Sequence, residues 1–297
     1  MTVSSTVAAA QPAPGALPAP GPQAATGTPA APGPPGASPL FGSYARLGRV
    51  FPGLRVHAGA PRTGRGWART ADFVQHPAAL RKLIAYDAAL GLAEYGEPLR
   101  PEVAAGFCLH RYNWPVALLF TLPWLLERRV PRIPVERVSI RRSSGELTVQ
   151  PDGFACLPGD PAAALPGARV VPDERALRAE LLAALADQLA PVLAAFRPEL
   201  RRGPRTLWAM ATDDVIEGLW YLGALLGEEA RAVAELAELL PDGSQHPPFV
   251  GGSGFRALEQ PGAPAGWTRS RASCCLFYTV RPADTCFSCP RTCTNQN

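Results

Sequence analysis

Apolar positions recur at different periods along the chain, and each change of period predicts a different kind of element. From Asp72 onward Phe73, Leu80, Leu83, Ile84 and Leu90 return at roughly helical spacing, with Pro77 near a helix start and Gly96-Glu97-Pro98 as a stop. A second helical segment is expected from Pro101 through Leu119 to Glu127. It should be bent or broken at Pro115 and Pro123, where the ring nitrogen cannot donate to the carbonyl four residues back. Between Val135 and Leu157 the period falls to two: Val138 and Ile140, then Leu147 and Val149, then Phe154 and Cys156, separated by Ser-Ser-Gly and Pro-Asp-Gly. Three short antiparallel strands joined by tight turns follow from this pattern, a meander that needs helices against its apolar face. Cys156 alternates with Phe154 on that face and is a packing residue in this scheme.

Helical spacing returns at Asp173, with Leu177, Leu181, Leu185, Leu189, Val192 and Phe196 on one stripe and Pro198 near its end. Trp208, Ala211, Val215, Leu219, Leu222 and Leu226 repeat the pattern, and Val233, Leu236 and Leu240 form a third stripe that stops at Pro241. Three amphipathic helices with short connections predict antiparallel packing.

The remaining stretches are aperiodic. Residues 1–44 are expected to form a flexible tail, because Met1 to about Pro39 is built mainly from Ala, Pro, Gly, Ser and Thr and cannot bury enough apolar surface to offset the entropy of ordering. Phe41 to Trp67 reads as loops with one short strand, and Pro241 to Trp267 as a Pro- and Gly-rich linker or cover. Gly251 to Gly254 lacks the Lys-Ser/Thr and the strand-to-helix setting of a phosphate loop. The fold class is therefore α+β: a mainly helical domain over 45–250 with a small antiparallel β-meander, and a short cysteine-rich segment over 251–297.

Composition narrows the function classes. The net charge of +4 over 297 residues is mild and dispersed, which argues against a dedicated nucleic-acid binder. Lys82 is the only lysine, so an arginine needs more than its identity to be called functional. No Arg or Lys precedes Arg46, so the charged start of a secretory signal is missing, and the apolar run Val116 to Leu126 is too short to span a bilayer. Seven cysteines, an odd number with Cys108 and Cys156 standing alone, do not suit a paired disulfide framework; a reducing, cytoplasmic setting is expected.

Five of the seven cysteines fall between Cys274 and Cys293. Cys274, Cys275, Cys286 and Cys289 have the spacing C-C-x10-C-x2-C, with Cys293 following Pro290. The C-x2-C half suits zinc and iron sites alike. The adjacent pair is harder to converge on one zinc ion, since neighbouring side chains in an extended chain point to opposite faces, whereas a binuclear cluster offers several binding directions. Spacing thus favours a [2Fe-2S] cluster and leaves zinc open. His57, His76, His110 and His246 show no metal-site spacing and read as surface or packing residues. Asp213 and Asp214, with Glu217 nearby, could clamp a cation, but their place in an amphipathic helix favours a solvated face or a partner of the helix dipole. No strand, G-x-G-x-x-G and helix occur in succession, so no dinucleotide site is expected.

Ser273-Cys-Cys-Leu-Phe-Tyr followed by Cys286-Phe-Ser-Cys-Pro290 resembles the carboxy-terminal signature of the FhuF-like ferric siderophore reductases. Looser likenesses upstream are the 135–157 meander, the helix after Asp173, Leu207-Trp208, Pro247-Pro248-Phe249, and Arg269 and Arg271. Residues 1 to about 44 and Cys293 lie outside the resemblance. It implies a cytoplasmic reductase whose Cys274, Cys275, Cys286 and Cys289 hold a [2Fe-2S] cluster, and which passes one electron to the iron of a ferric siderophore. Electrons would come from an external donor such as a ferredoxin or another reductant, with Arg269, Arg271 and Arg281 as contacts for donor or substrate. Two other readings stand beside it: a zinc-stapled binding module without redox activity, and a siderophore-biosynthesis protein.

Overall fold

The computed structural model describes residues 38–243, 246–258, 266–282 and 289–293. Most of the expected tail lies outside these residues. The body begins ahead of residue 44, however, because Leu40, Tyr44 and Leu47 are all buried. They are carried by helix α1 (Phe41–Val50), in a stretch expected to be loop. Gly42, Gly48 and the arginines hide its short apolar stripe, and the helix depends on what it packs against rather than on propensity.

Strands β1 (Arg55–Ala58) and β2 (Trp67–Arg69) and the short helix α2 (Thr70–Gln75) follow. Helix α3 (Pro77–Tyr95) starts with its proline in the first turn and ends at Gly96 in the left-handed conformation (φ 78°), as the punctuation predicts. Helix α4 (Pro101–Glu127) matches its expected bounds but runs unbroken through Pro115 and Pro123. Part of the reason is visible at Pro123, which leaves the carbonyl of Leu119 without its helical donor. The buried Tyr44 hydroxyl donates to that oxygen at 2.7 Å. Helix α4 is apolar all round and is the axis of the molecule, packing against α1 and α3 and against the later helices.

Strand β3 (Arg129–Arg132) leads into β4 (Val138–Arg141), β5 (Glu146–Val149), β6 (Gly153–Cys156) and β7 (Ala168–Val170). The expected meander is divided between two sheets. Strands β4 and β5 form an antiparallel hairpin within the order β1-β5-β4-β2, while β6 lies between β3 and β7. The free edge of β5 is taken by β1 in parallel register, so β6 must pair elsewhere, and Pro151 supplies no N–H to continue the ladder. Gly153 permits the new pairing: a Cβ there would lie 2.4 Å from the carbonyl oxygen of Gly167. Cys156 is fully buried, in keeping with a packing role.

Asp173 caps α5 (Glu174–Leu200), accepting from the N–H of Ala176 at 2.8 Å. Its Leu177-to-Phe196 stripe is fully buried. Among the described residues α5 has the length and apolar composition to cross a membrane, but that stripe is part of the core. Helices α6 (Pro204–Leu225) and α7 (Glu229–Leu239) complete the bundle, with α5 and α6 both packed on α4 and α7 on α6. Each fully buried Leu or Phe contributes roughly 1.5–3 kcal/mol by leaving water. The hairpin of β8 (Phe255–Leu258) and β9 (Gly266–Arg269), a single turn at Phe277–Thr279 and the short helix α8 (Pro290–Cys293) form the tail.

Candidate metal centre

After α7 the chain folds back along α6. Phe249 meets the Trp208 ring edge-on at 5.3 Å, and the Val250 N–H donates to Thr212 Oγ1 at 3.2 Å. Gly252 passes so close that a Cβ would lie 2.6 Å from the Pro241 carbonyl oxygen, which accounts for the glycine run as a close backbone approach. Phe255 packs on Trp220, and the hairpin then delivers Arg269 to the middle of α6.

There the acidic residues are inside. Asp213 is 0% and Asp214 2% exposed, so the expectation of a solvated face or a dipole partner is wrong. They face the returning tail, not water. Arg269 is also buried, with one terminal nitrogen on Asp213 Oδ1, another 3.3 Å from Glu217 Oε1, and its Nε 3.3 Å from the carbonyl oxygen of Ser253. Arg271 places Nη1 3.2 Å from Glu217 Oε2 and Nε 3.7 Å from Asp213 Oδ2. Burial works against the Arg271 charge, but Glu217, Asp213 and the nearby Cys275 sulfur outweigh it and raise its pKa. Charges taken out of water need such pairing on every side. Of the three arginines expected to meet a donor or substrate, Arg269 is an internal tie. Arg271 lines a cleft, and Arg281 is exposed, 5.6 Å over the Tyr95 ring.

The tail has a second attachment. Phe277 sits 5.9 Å from Tyr95 and 6.4 Å from Phe107, ring centre to ring centre, joining the cysteine segment to α3 and α4. Arg291 lies 4.2 Å over the Tyr278 ring and is held within the tail itself.

Between these attachments stand Cys274 and Cys275, half-buried, with Cys289 buried. Burial raises the Cys274 pKa, the N–H of Leu276 opposes this, and the charges of Cys275 and Cys289 raise it further. Negative charge on these sulfurs together would be mutually repelling unless a cation lay among them. Leu276, directly after the cysteine pair, adopts φ 63°, in the left-handed region. Among the described residues no three His, Cys, Asp or Glu side chains converge on a single-ion site; Cys286 lies outside those residues. Thiolate sulfur is the donor type that both zinc and iron–sulfur centres use.

Residues 271–291 match the FhuF 2Fe-2S C-terminal domain. The tail is similar to FhuF 2Fe-2S domains. Its cofactor is a [2Fe-2S] cluster, and the match supports the FhuF-like, siderophore-iron reductase family. No curated protein matches the chain. The FhuF domain begins at Arg271, so Arg269 and the α6 acids that grip it lie outside the matched residues.

A cleft between α4, α6 and the FhuF segment is lined by Phe107, His110, Met210, Asp214, Arg271 and Cys275. His110 Nδ1 lies 2.6 Å from Asp214 Oδ1. Burial pushes the Asp214 carboxyl above its ordinary range, opposed by His110 and Arg271. Cys108 is fully buried elsewhere, and burial beside Asp87 pushes its thiol well up. Sequence reasoning missed Asp213, Glu217 and His110 as site residues. One signal bore on the acids: Arg269 and Arg271 fall two residues apart, on one face of an extended segment, and two cations so placed call for acidic partners.

Proposed function

We propose that this chain is a cytoplasmic ferric-siderophore reductase in which Cys274, Cys275, Cys286 and Cys289 hold the [2Fe-2S] cluster. The observation that carries the reading is that Cys275 lines a cleft inside the segment that matches the FhuF 2Fe-2S domain. When bound, the cluster supplies a one-electron couple, enough to turn the Fe(III) of an oxygen-ligated chelate into Fe(II), which such hard ligands hold weakly.

The chain's own residues arrange the rest. Arg271 keeps a buried positive charge next to Cys275, which favours added negative charge there. Arg281 is exposed beside the tail and provides positive potential for an acidic electron donor such as a ferredoxin. Phe277 closes the segment against α3 and α4.

The test is to reduce the purified protein without oxygen, then add ferric siderophores and follow visible absorption and electron paramagnetic resonance. Reoxidation by at least one ferric chelate, with release of Fe(II), is expected. A reduced cluster that none of them reoxidises contradicts the reductase reading. A colourless protein with stoichiometric zinc contradicts the cluster assignment and leaves the zinc-stapled module.

A further inference from the structure

The tail converges on Asp213. A carboxylate in the middle of a buried helix face is strongly unfavourable unless its oxygens are satisfied, and Asp213 is 0% exposed. Its Oδ1 accepts from an Arg269 terminal nitrogen and from the Ala272 N–H at 3.1 Å. Its Oδ2 accepts from the Ser273 N–H at 2.8 Å and from the Ser273 hydroxyl at 2.6 Å. A carboxylate offers about four acceptor sites, and the tail fills them all.

Two of those donors are consecutive backbone N–H groups, and they belong to the residues immediately before Cys274. Fixing two successive peptide planes on one immobile anion fixes the direction in which the next residues leave. The buried and exposed positions from Arg269 to Ser273 alternate strictly, so this is an extended segment gripped along one edge. Right after it the chain turns through the left-handed Leu276. The same carboxylate stands 3.7 Å from Arg271 Nε, and Glu217 takes the other end of that guanidinium, which is the positive charge felt at Cys275.

We propose that Asp213 is the positioning residue of the cluster site. Through its four accepted hydrogen bonds it sets the turn that presents Cys274 and Cys275, and with Glu217 it holds Arg271 beside Cys275. It acts through the tail and does not itself touch the cluster. The inference rests on the ligand set proposed above. An asparagine cannot substitute, because it has a single acceptor oxygen and would point an NH2 at backbone N–H donors.

The experiment uses the full chain, purified without oxygen, as wild type and as Asp213→Asn, Ser273→Ala and Ser273→Thr. Three quantities are measured: the rate at which visible absorption is lost to excess iron chelator, the midpoint potential of the cluster, and the far-ultraviolet circular dichroism melt. Asp213→Asn is expected to lose the cluster about 10- to 100-fold faster, the range typical of residues that orient metal ligands, and to shift the potential. Ser273→Ala removes one of the four bonds and should show a smaller effect of the same kind with an unchanged melt; Ser273→Thr, which keeps the hydroxyl, should restore wild-type behaviour. Should Asp213→Asn fail to fold, the serine pair decides. Variants that release the cluster at the wild-type rate and potential, even if Asp213→Asn melts earlier, overturn the proposal and leave Asp213 a structural tie. A wild-type protein with no iron–sulfur absorption overturns the ligand reading, and the proposal with it.

Discussion

Along α4, Leu109, Val116, Leu118, Leu119, Phe120, Leu122 and Leu125 are fully buried, whereas between Arg269 and Cys275 the buried side chains are two arginines and a serine. The helix is held by transfer of apolar surface, which is non-directional and tolerates small displacements. Here the tail is held by hydrogen bonds and ion pairs, which depend on the distance and direction of each partner. Such a network contributes little net stability but specifies one geometry, and removing a single partner leaves a buried charge uncompensated. The difference suits a body that needs only to persist and a tail that must place thiols.

The comparison can be broken first at a proposed ligand. Cys275→Ser should remove the visible absorption and nearly all bound iron, leaving the circular dichroism melt of the body close to wild type. A body that unfolds with the loss would show that the two regions are not independent. The converse is a cut in the core: Leu189, fully buried on α5, changed to Ala should cost about 2–5 kcal/mol in urea unfolding. The iron–sulfur spectrum of the folded fraction should be unchanged.

Polar groups that support the apolar body give finer tests. Tyr44→Phe leaves the buried Leu119 carbonyl without a donor and should lower unfolding free energy by about 1–3 kcal/mol. Asp173→Ala removes the cap of α5 and should cost about 1 kcal/mol. Both effects are expected in the denaturation midpoint and in neither the potential nor the chelator-release rate of the cluster.

How much was legible in the sequence follows the same division. Local signals placed the helices well: Pro77 and Gly96 bound α3, Asp173 opens α5, and the Leu177-to-Phe196 stripe is the buried face. Non-local choices were hidden. The departure of β6 from the hairpin depends on β1 taking the edge of β5, a pairing across about ninety residues that no periodicity encodes. Helix α1 escaped because its stability lies in contacts with α4. At the site, the cysteine spacing pointed to the cofactor, since ligand chemistry is written in residue type and order. The acid–arginine grip joins residues 56 positions apart, and an Asp on a helix reads as solvated until its partner arrives.

Everything proposed for the tail depends on its thiols holding a two-iron cluster. Measuring iron, zinc and acid-labile sulfide in protein purified without oxygen, together with the paramagnetic resonance of the reduced form, tests it most directly. About two iron and two sulfide per chain are expected, with a half-integer-spin signal on one-electron reduction. About one zinc per chain, with no sulfide and no visible absorption, would contradict it.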